Sequence, residues 1–377
     1  MNKIHFHSLD ALRFFAFLKV YLLHLPLEGD FPVFSYLKSG GGLGVDFFFV
    51  LSGFLITYLL VFDKLRDGQI NVRKFFIRRS LRIWPLFYLI VIILFLLPYE
   101  FKEYYGLHMI NSGYDLDWRY SFTFLENYKM LVMDSFPKTT PLSVFWSLCI
   151  EEHFYLFWMI SLFFIPVKYF IRFFIACIII GLVARLLDNS IYHNSHILTA
   201  DLFTNLDYFA CGGILAYFVA KDYDRISAFI LSLSQQLKYG ILSAVLLIVI
   251  FQKTILPNVD GSSFNIIRPG IIALLFSIVI AIFIPADSTI KIKSKILNYL
   301  GTISFGLYVY HLIIVHLSLQ YCKRNQVKID NWGTISVFIA FTLLTTILLS
   351  SLSYRYFEKP FLVLRERWTA KRYSPTN

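Results

Sequence analysis

The sequence is short of charge. Asp, Glu, Lys and Arg make up 16% of its 377 residues, against about 25% in an average soluble domain. Cysteine is scarce as well: there are four, and Cys149, Cys177 and Cys211 lie inside apolar runs. Neither a disulfide framework nor a metal-binding spacing follows from them, and they read as packing residues. No internal repeat, low-complexity tract or appended soluble domain breaks the chain. The first apolar run lacks the small-residue cleavage site of a secretory signal and is followed by more runs of its kind, so it is assigned to the mature protein.

What is present instead is hydrocarbon. Hydrophobic residues reach 57%, with 40 Phe and 24 Tyr, and mean hydropathy is +0.63. Leu, Ile, Phe and Val runs near the roughly 20 residues needed to cross a bilayer recur along the chain. This predicts an all-α polytopic integral membrane protein of about ten transmembrane helices, at 9–27, 41–62, 83–99, 143–165, 172–188, 201–220, 239–252, 268–286, 298–320 and 333–354. One membrane-embedded domain occupies 1–354, and 355–377 is a short basic tail. The seventh span is the shortest and the segment before it contains ISAFILSLS, so nine or eleven spans stay open. Residues 119–133 are a candidate for dipping into the membrane.

The net charge of +11 has no basic groove motif beside it, which argues against nucleic acid as a partner. Topology accounts for it. With the N-terminus cytoplasmic, the inside segments hold 22 of the 35 Lys and Arg. Such an excess marks cytoplasmic loops, so both ends are placed inside.

Arg13, Lys19 and His24 interrupt the first span, LDALRFFAFLKVYLLHL. Ionisable groups inside a bilayer are costly and by default line a pathway or a site. Arg13 and His24 are eleven residues apart, about three turns, which sets them on one face roughly 16 Å apart. Lys19 points elsewhere, as a partner to a buried carboxylate or as a site residue. Depth sorting puts His24, Asp46 and Glu151 together in the outer half, and a histidine backed by a carboxylate is a general-base arrangement. Ser147, Glu151 and Tyr155 share a helix face, and Glu152 cannot join them.

Blander readings stand beside these. His24 can be a hydrogen-bonded structural histidine, Asp46 can cap or orient the start of its helix, and His311 in SFGLYVYHLIIV reads as structural. The His5 and Asp10 spacing reads as chance. His193 and His196 read as a solvated loop, so no metal site is assigned. Between spans two and three, RKFFIRRSLR sets Arg79 and Arg82 on one face if helical, suited to a phosphate-bearing cytoplasmic ligand. The alternative there is a topogenic, lipid-binding charge cluster in contact with the bilayer.

In order along the chain come LDALRFFAFLKVYLLHL, GVDFFFVLSGFLIT, RRSLRIWPLFY, FWSLCIEEHFYLFW, SFGLYVYH and YRYFEKPF. Together they resemble the acyltransferase-3 family of multi-pass bacterial membrane O-acyltransferases, of the stand-alone type without a C-terminal esterase-like domain. The resemblance implies transfer of an acyl group, most often acetyl, from cytoplasmic acyl-CoA to a hydroxyl of an envelope carbohydrate or glycolipid, in the bacterial inner membrane. His24 would be catalytic, with Asp46 and Glu151 orienting it. Arg13, Arg79 and Arg82 would hold the acyl-CoA, with no permanently bound cofactor. Acceptor contacts are expected in the outer loop 100–142. The competing classes are a transporter or flippase of a saccharide or lipid-linked substrate, and a membrane subunit of a polysaccharide assembly complex.

Overall fold

A computed structural model describes residues 4, 6–25, 32–109, 112–192, 194, 196–257 and 262–369. His5 and His193 lie outside them. The described chain is helical, its only extended pairings being isolated bridges of His108 to Thr139 and Tyr114 to Pro137. The principal helices are α1 (His7–Leu23), α2 (Gly42–Asp67), α3 (Val72–Leu96), α4 (Phe145–Phe164), α5 (Phe170–Leu187), α6 (Leu206–Lys221), α7 (Tyr223–Ser232), α8 (Gln235–Ile250), α9 (Phe264–Ile282), α10 (Lys295–Thr302), α11 (Ser304–Arg324), α12 (Trp332–Ser353) and α13 (Lys359–Thr369).

Every expected span falls on one of these helices, but they are not alike. Among the described residues seven helices are long and apolar enough to cross a membrane, and α7 with α8 makes an eighth only as a pair bent by 93°. The bend falls where Ser234 caps α8 by accepting from the Leu237 amide. Helices α1 and α6, of 17 and 16 residues, are shorter than those seven. The basic stretch before the third expected span is itself helical: Gly68 ends α2 at φ 73°, and Asn71 caps α3 by accepting from the Lys74 amide. Left-handed φ suits glycine, and an Asn side chain satisfies an amide that the first turn leaves unpaired. Arg79 and Arg82 therefore sit about two and three turns inside α3. The described part of the expected tail, to Thr369, is structured too, since a turn at Tyr354–Glu358 leads into α13, which packs along α3.

Helices α2 and α6 make the most extensive helix–helix contact, with glycine facing backbone from both sides. A Cβ on Gly53 would overlap the Phe209 backbone, and one on Gly212 would overlap the Val50 carbonyl. Lipid gives helices little hydrophobic reason to associate, so close backbone approach through small residues supplies the contact. Lys64 of α2 donates to the carbonyls of Leu162, Phe163 and Ile165 at 2.6, 2.9 and 2.7 Å. It satisfies carbonyls that the end of α4 leaves open. Behind α6, Arg185 and Asp207 form a fully buried ion pair at 2.8 Å, and Arg185 also donates to the Ile266 carbonyl of α9 at 2.8 Å.

That pair yields a test. Removing one partner of a buried pair strands the other charge, at roughly 3–5 kcal/mol. Arg185→Met should lower the thermal unfolding temperature in detergent sharply, and Arg185→Met with Asp207→Leu should recover most of the loss. A single variant as stable as the parent would contradict the pair's role.

Candidate active site

Three helices bring arginine to one place. Arg13 from α1 and Arg79 and Arg82 from α3 line a cavity of about 380 Å³ at the end of the bundle where α1 begins. Helix α13 adds Arg365, and the turn before it adds Glu358. Arg13 pairs with Asp10 at 2.6 Å. Among the described residues neither Arg79 nor Arg82 has a carboxylate within the 4.0 Å of an ion pair. Arg79 lies instead over the Tyr155 ring, 5.5 Å from its centroid. A cavity edged by unpaired guanidinium groups suits an anion with several oxygens, above all phosphate.

The cavity narrows and continues inward. A second space of about 90 Å³ shares Arg13, Arg79 and Arg82 and is walled further in by Ser52, Ser147, Glu151, Tyr155 and Tyr308. Ser147, Glu151 and Tyr155 occupy one wall, as their spacing on α4 requires. Glu151 accepts from Ser52 Oγ at 3.2 Å and from the Tyr155 hydroxyl at 2.8 Å. Glu152 turns away and accepts from Trp84 Nε1 at 3.0 Å. At the inner limit the Tyr308 hydroxyl lies 2.6 Å from Ser147 Oγ, and the Phe48 ring packs edge-on to Tyr308.

His24 lines neither space. It is half-buried at the far end of α1, its Nδ1 2.9 Å from the Val20 carbonyl and 3.2 Å from Nε2 of the fully buried His311. The rings of Tyr308, His311 and His24 follow one another with centroids 5.8 and 5.1 Å apart. The expected carboxylate partners are elsewhere. Asp46 faces Tyr208, with Arg268 and Asp207 close by, and Glu151 faces Ser52 and Tyr155. Equal depth in a bundle does not set direction around each helix axis, and the three groups share only the depth. The ring beside His24 is His311, which the sequence reading treats as structural.

Lys19 has a plain role. Its Nζ donates to the carbonyls of Leu37 and Ser39 at 2.8 and 2.7 Å, tying α1 to the end of the short helix Pro32–Lys38. Among the described residues no carboxylate is involved. The loop between α3 and α4 is folded rather than open. Its helices Trp118–Phe122 and Glu126–Met133 enclose the Glu126 carboxyl, which accepts from Ser121 at 2.7 Å and Tyr114 at 2.9 Å. Burial raises that carboxyl above its usual range, and the two hydroxyls oppose the rise. Phe124, at φ 57°, stacks on Phe87 of α3 at 4.2 Å. The segment 119–133 thus packs against the bundle through an aromatic plug. Among the described residues no group of His, Cys, Asp and Glu could hold a metal ion, and the four cysteines are free.

A cavity edged by guanidinium groups inside a bundle of apolar helices, ending short of a histidine pair, is a site that can hold a polyanion within the membrane. Residues 6–354 match the family described as an acyltransferase domain. The chain belongs to this acyltransferase-3 family. It is similar to the peptidoglycan O-acetyltransferase OatA of Listeria monocytogenes, 28% identical over 94% of this chain and 55% of the relative. It is likewise 28% identical to the O-acetyltransferase OatA of Staphylococcus aureus, over 94% of this chain and 56% of the relative. The chain spans a little over half the length of these relatives. No solved structure matches it.

The Lys19 contacts are testable by themselves. Lys19→Met strands two carbonyls, at roughly 1–3 kcal/mol, and should lower the unfolding temperature while leaving anion binding at the arginine cavity unchanged. Lost anion binding with unchanged stability would contradict the assignment.

Proposed function

We propose that this chain is a membrane O-acyltransferase that moves an acyl group, acetyl by preference, from acyl-CoA to a hydroxyl of an exported or envelope carbohydrate. The family and the O-acetyltransferases among the relatives support the reaction class. The observation that carries the donor assignment is the pair Arg79 and Arg82, unpaired at the neck of a cavity that also holds Arg13 and Arg365. The phosphates of CoA rest there, and the pantetheine arm enters the narrow space along Glu151 and Tyr155. The excess of Lys and Arg on this side agrees with a cytoplasmic donor in a bacterial inner membrane.

His24 acts as general base. The acceptor hydroxyl approaches from the opposite end, gives its proton to the imidazole, and its oxygen attacks the thioester carbonyl. Collapse of the tetrahedral adduct breaks the C–S bond, and the imidazolium returns the proton to the departing CoA thiolate. Tyr308, which lines the narrow space and packs against His311, lies on the way to His24, so its side chain rotates to let the thioester through. Asp46 lies too far toward Tyr208 to orient the ring, and its role is to hold α2 to α6 and α9. Glu151 keeps Tyr155 beneath Arg79 and so serves the donor path.

The measurement is made on protein in liposomes with acetyl-CoA and a carbohydrate acceptor, following CoA release and acylated product. His24→Ala should lower the rate about 10²–10⁴-fold, the range of a lost general base. Arg79→Ala and Arg82→Ala should each raise KM for acetyl-CoA about tenfold or more, the worth of one charge-assisted contact. Full transfer by folded His24→Ala ends the general-base reading. Saccharide movement without CoA release would establish a transporter instead. Mass spectrometry of envelope glycans with and without the gene identifies the acceptor as the one sugar that loses an acyl mass.

A further inference from the structure

We propose that His311 is the positioning residue of His24, setting the ring orientation that aims the bare Nε2 of His24, with the Nδ1 hydrogen shared between His311 and the Val20 carbonyl. This rests on the reading of His24 as the base, and it follows from which atoms can donate.

His311 lies on α11 with no exposed surface. Its Nδ1 is 2.6 Å from the Tyr308 carbonyl oxygen. A carbonyl only accepts, so that nitrogen bears the hydrogen, and in a neutral imidazole the other nitrogen is then bare. The bare Nε2 of His311 faces His24 Nδ1 at 3.2 Å. The Val20 carbonyl faces the same Nδ1 at 2.9 Å. Two acceptors converge on one atom, so His24 Nδ1 carries the hydrogen and shares it between them. Nε2 is left as the basic nitrogen of His24.

The usual partner of a catalytic histidine is a carboxylate, which orients the ring and neutralises the imidazolium once it forms. His311 does the first without the second. It is an uncharged acceptor, held by its own bond to Tyr308 and by Phe17 packed edge-on at 5.7 Å. The other titratable groups facing His24 are His316, also on α11, and Lys38 at the end of the short helix that Lys19 ties down. None is an acid. An imidazolium at His24 keeps its dipolar support and, among the described residues, meets no counter-charge, which favours prompt return of the proton to the leaving thiolate. Val20 alone supplies an acceptor from the same helix. His311 adds one from across the α1–α11 contact, and with it the ring orientation that the local bond leaves free.

The test uses three substitutions in the full chain. His311→Gln can set its amide oxygen where Nε2 stood and should keep kcat within about fivefold. His311→Leu fills the space without an acceptor and should lower kcat about 100-fold, the scale of a misplaced catalytic group, with KM for acetyl-CoA unchanged. If the Leu variant does not fold, His311→Asn replaces it, because the shorter amide keeps the Tyr308 bond and withdraws the acceptor. Nitrogen-15 NMR of histidine-labelled protein gives the direct readout. His24 should keep a protonated Nδ1 and a bare Nε2 in every variant, because the Val20 carbonyl remains, while its Nδ1–H resonance should match the parent in the Gln variant and shift in Leu or Asn, where one of its two acceptors is gone. Parent-like kcat in Leu or Asn, or an unchanged His24 Nδ1–H resonance there, overturns the proposal. The nitrogen signature needs no turnover, so it judges His311 even if His24→Ala retains transfer and the general-base reading falls.

Discussion

Two guanidinium groups with no carboxylate in ion-pair range among the described residues, Arg79 and Arg82, stand inside an apolar helix bundle, and the surroundings are arranged around that cost. A charge taken from water into a low-dielectric interior is penalised by several kcal/mol unless something compensates it. Here the compensation is partial and spread out. Tyr155 offers its ring face to Arg79, while Glu151 and Glu358 act on the arginines from beyond ion-pair range. The resulting field is positive and open to the cavity, the condition for capturing a polyanion. A full set of salt bridges would have given a quieter bundle and no site.

Holding like charges together demands a frame that does not relax, and the backbone contacts supply one. The glycine-lined approach of α2 to α6 leaves no room for either helix to slide, because Gly53 and Gly212 each abut the other chain segment's backbone. Lys64 fastens α2 to the end of α4, and Arg185 with Asp207 fastens α5 to α6. Arg13, Ser52 and Glu151 come from three different helices, and these ties keep them around one narrow space. Similar logic explains Lys19, whose charge serves carbonyls and not chemistry.

Much of this was legible in the sequence, and the limit has a physical form. Hydropathy located the helices because the membrane demands length and apolarity of each one separately. Helical periodicity placed Ser147, Glu151 and Tyr155 on one wall, and Arg79 with Arg82 at one cavity, because residues three and four apart share a face within a helix. Direction between helices was not legible. Asp46 has the depth of His24 and yet turns to Tyr208 and Arg268, since depth follows from counting residues and azimuth from packing. The same gap hid His311, whose sequence neighbours are apolar and whose partner is 287 positions away. Arg365 was hidden by composition: in a basic tail an arginine looks topogenic, and only the turn at Tyr354–Glu358 brings it back to the cavity.

The order of groups along the bundle constrains the chemistry that the proposed reaction can use. Tyr308 lines the narrow space and packs against His311, while His24 lines neither space, so in this conformation a thioester and the base do not meet. Such a separation is an advantage for an enzyme whose donor is a hydrolysable thioester, because water entering from the acceptor end would be activated by the same base that activates a sugar hydroxyl. Tyr308 occupies the decisive place. Its carbonyl fixes His311, its hydroxyl is held by Ser147 on the donor wall, and its ring closes the narrow space. On the proposed reading, donor entry that displaces the Tyr308 side chain would leave its backbone bond to His311 in place. The base then stays oriented while the passage opens, and the two ends of the site are joined only when the donor fills the gap between them.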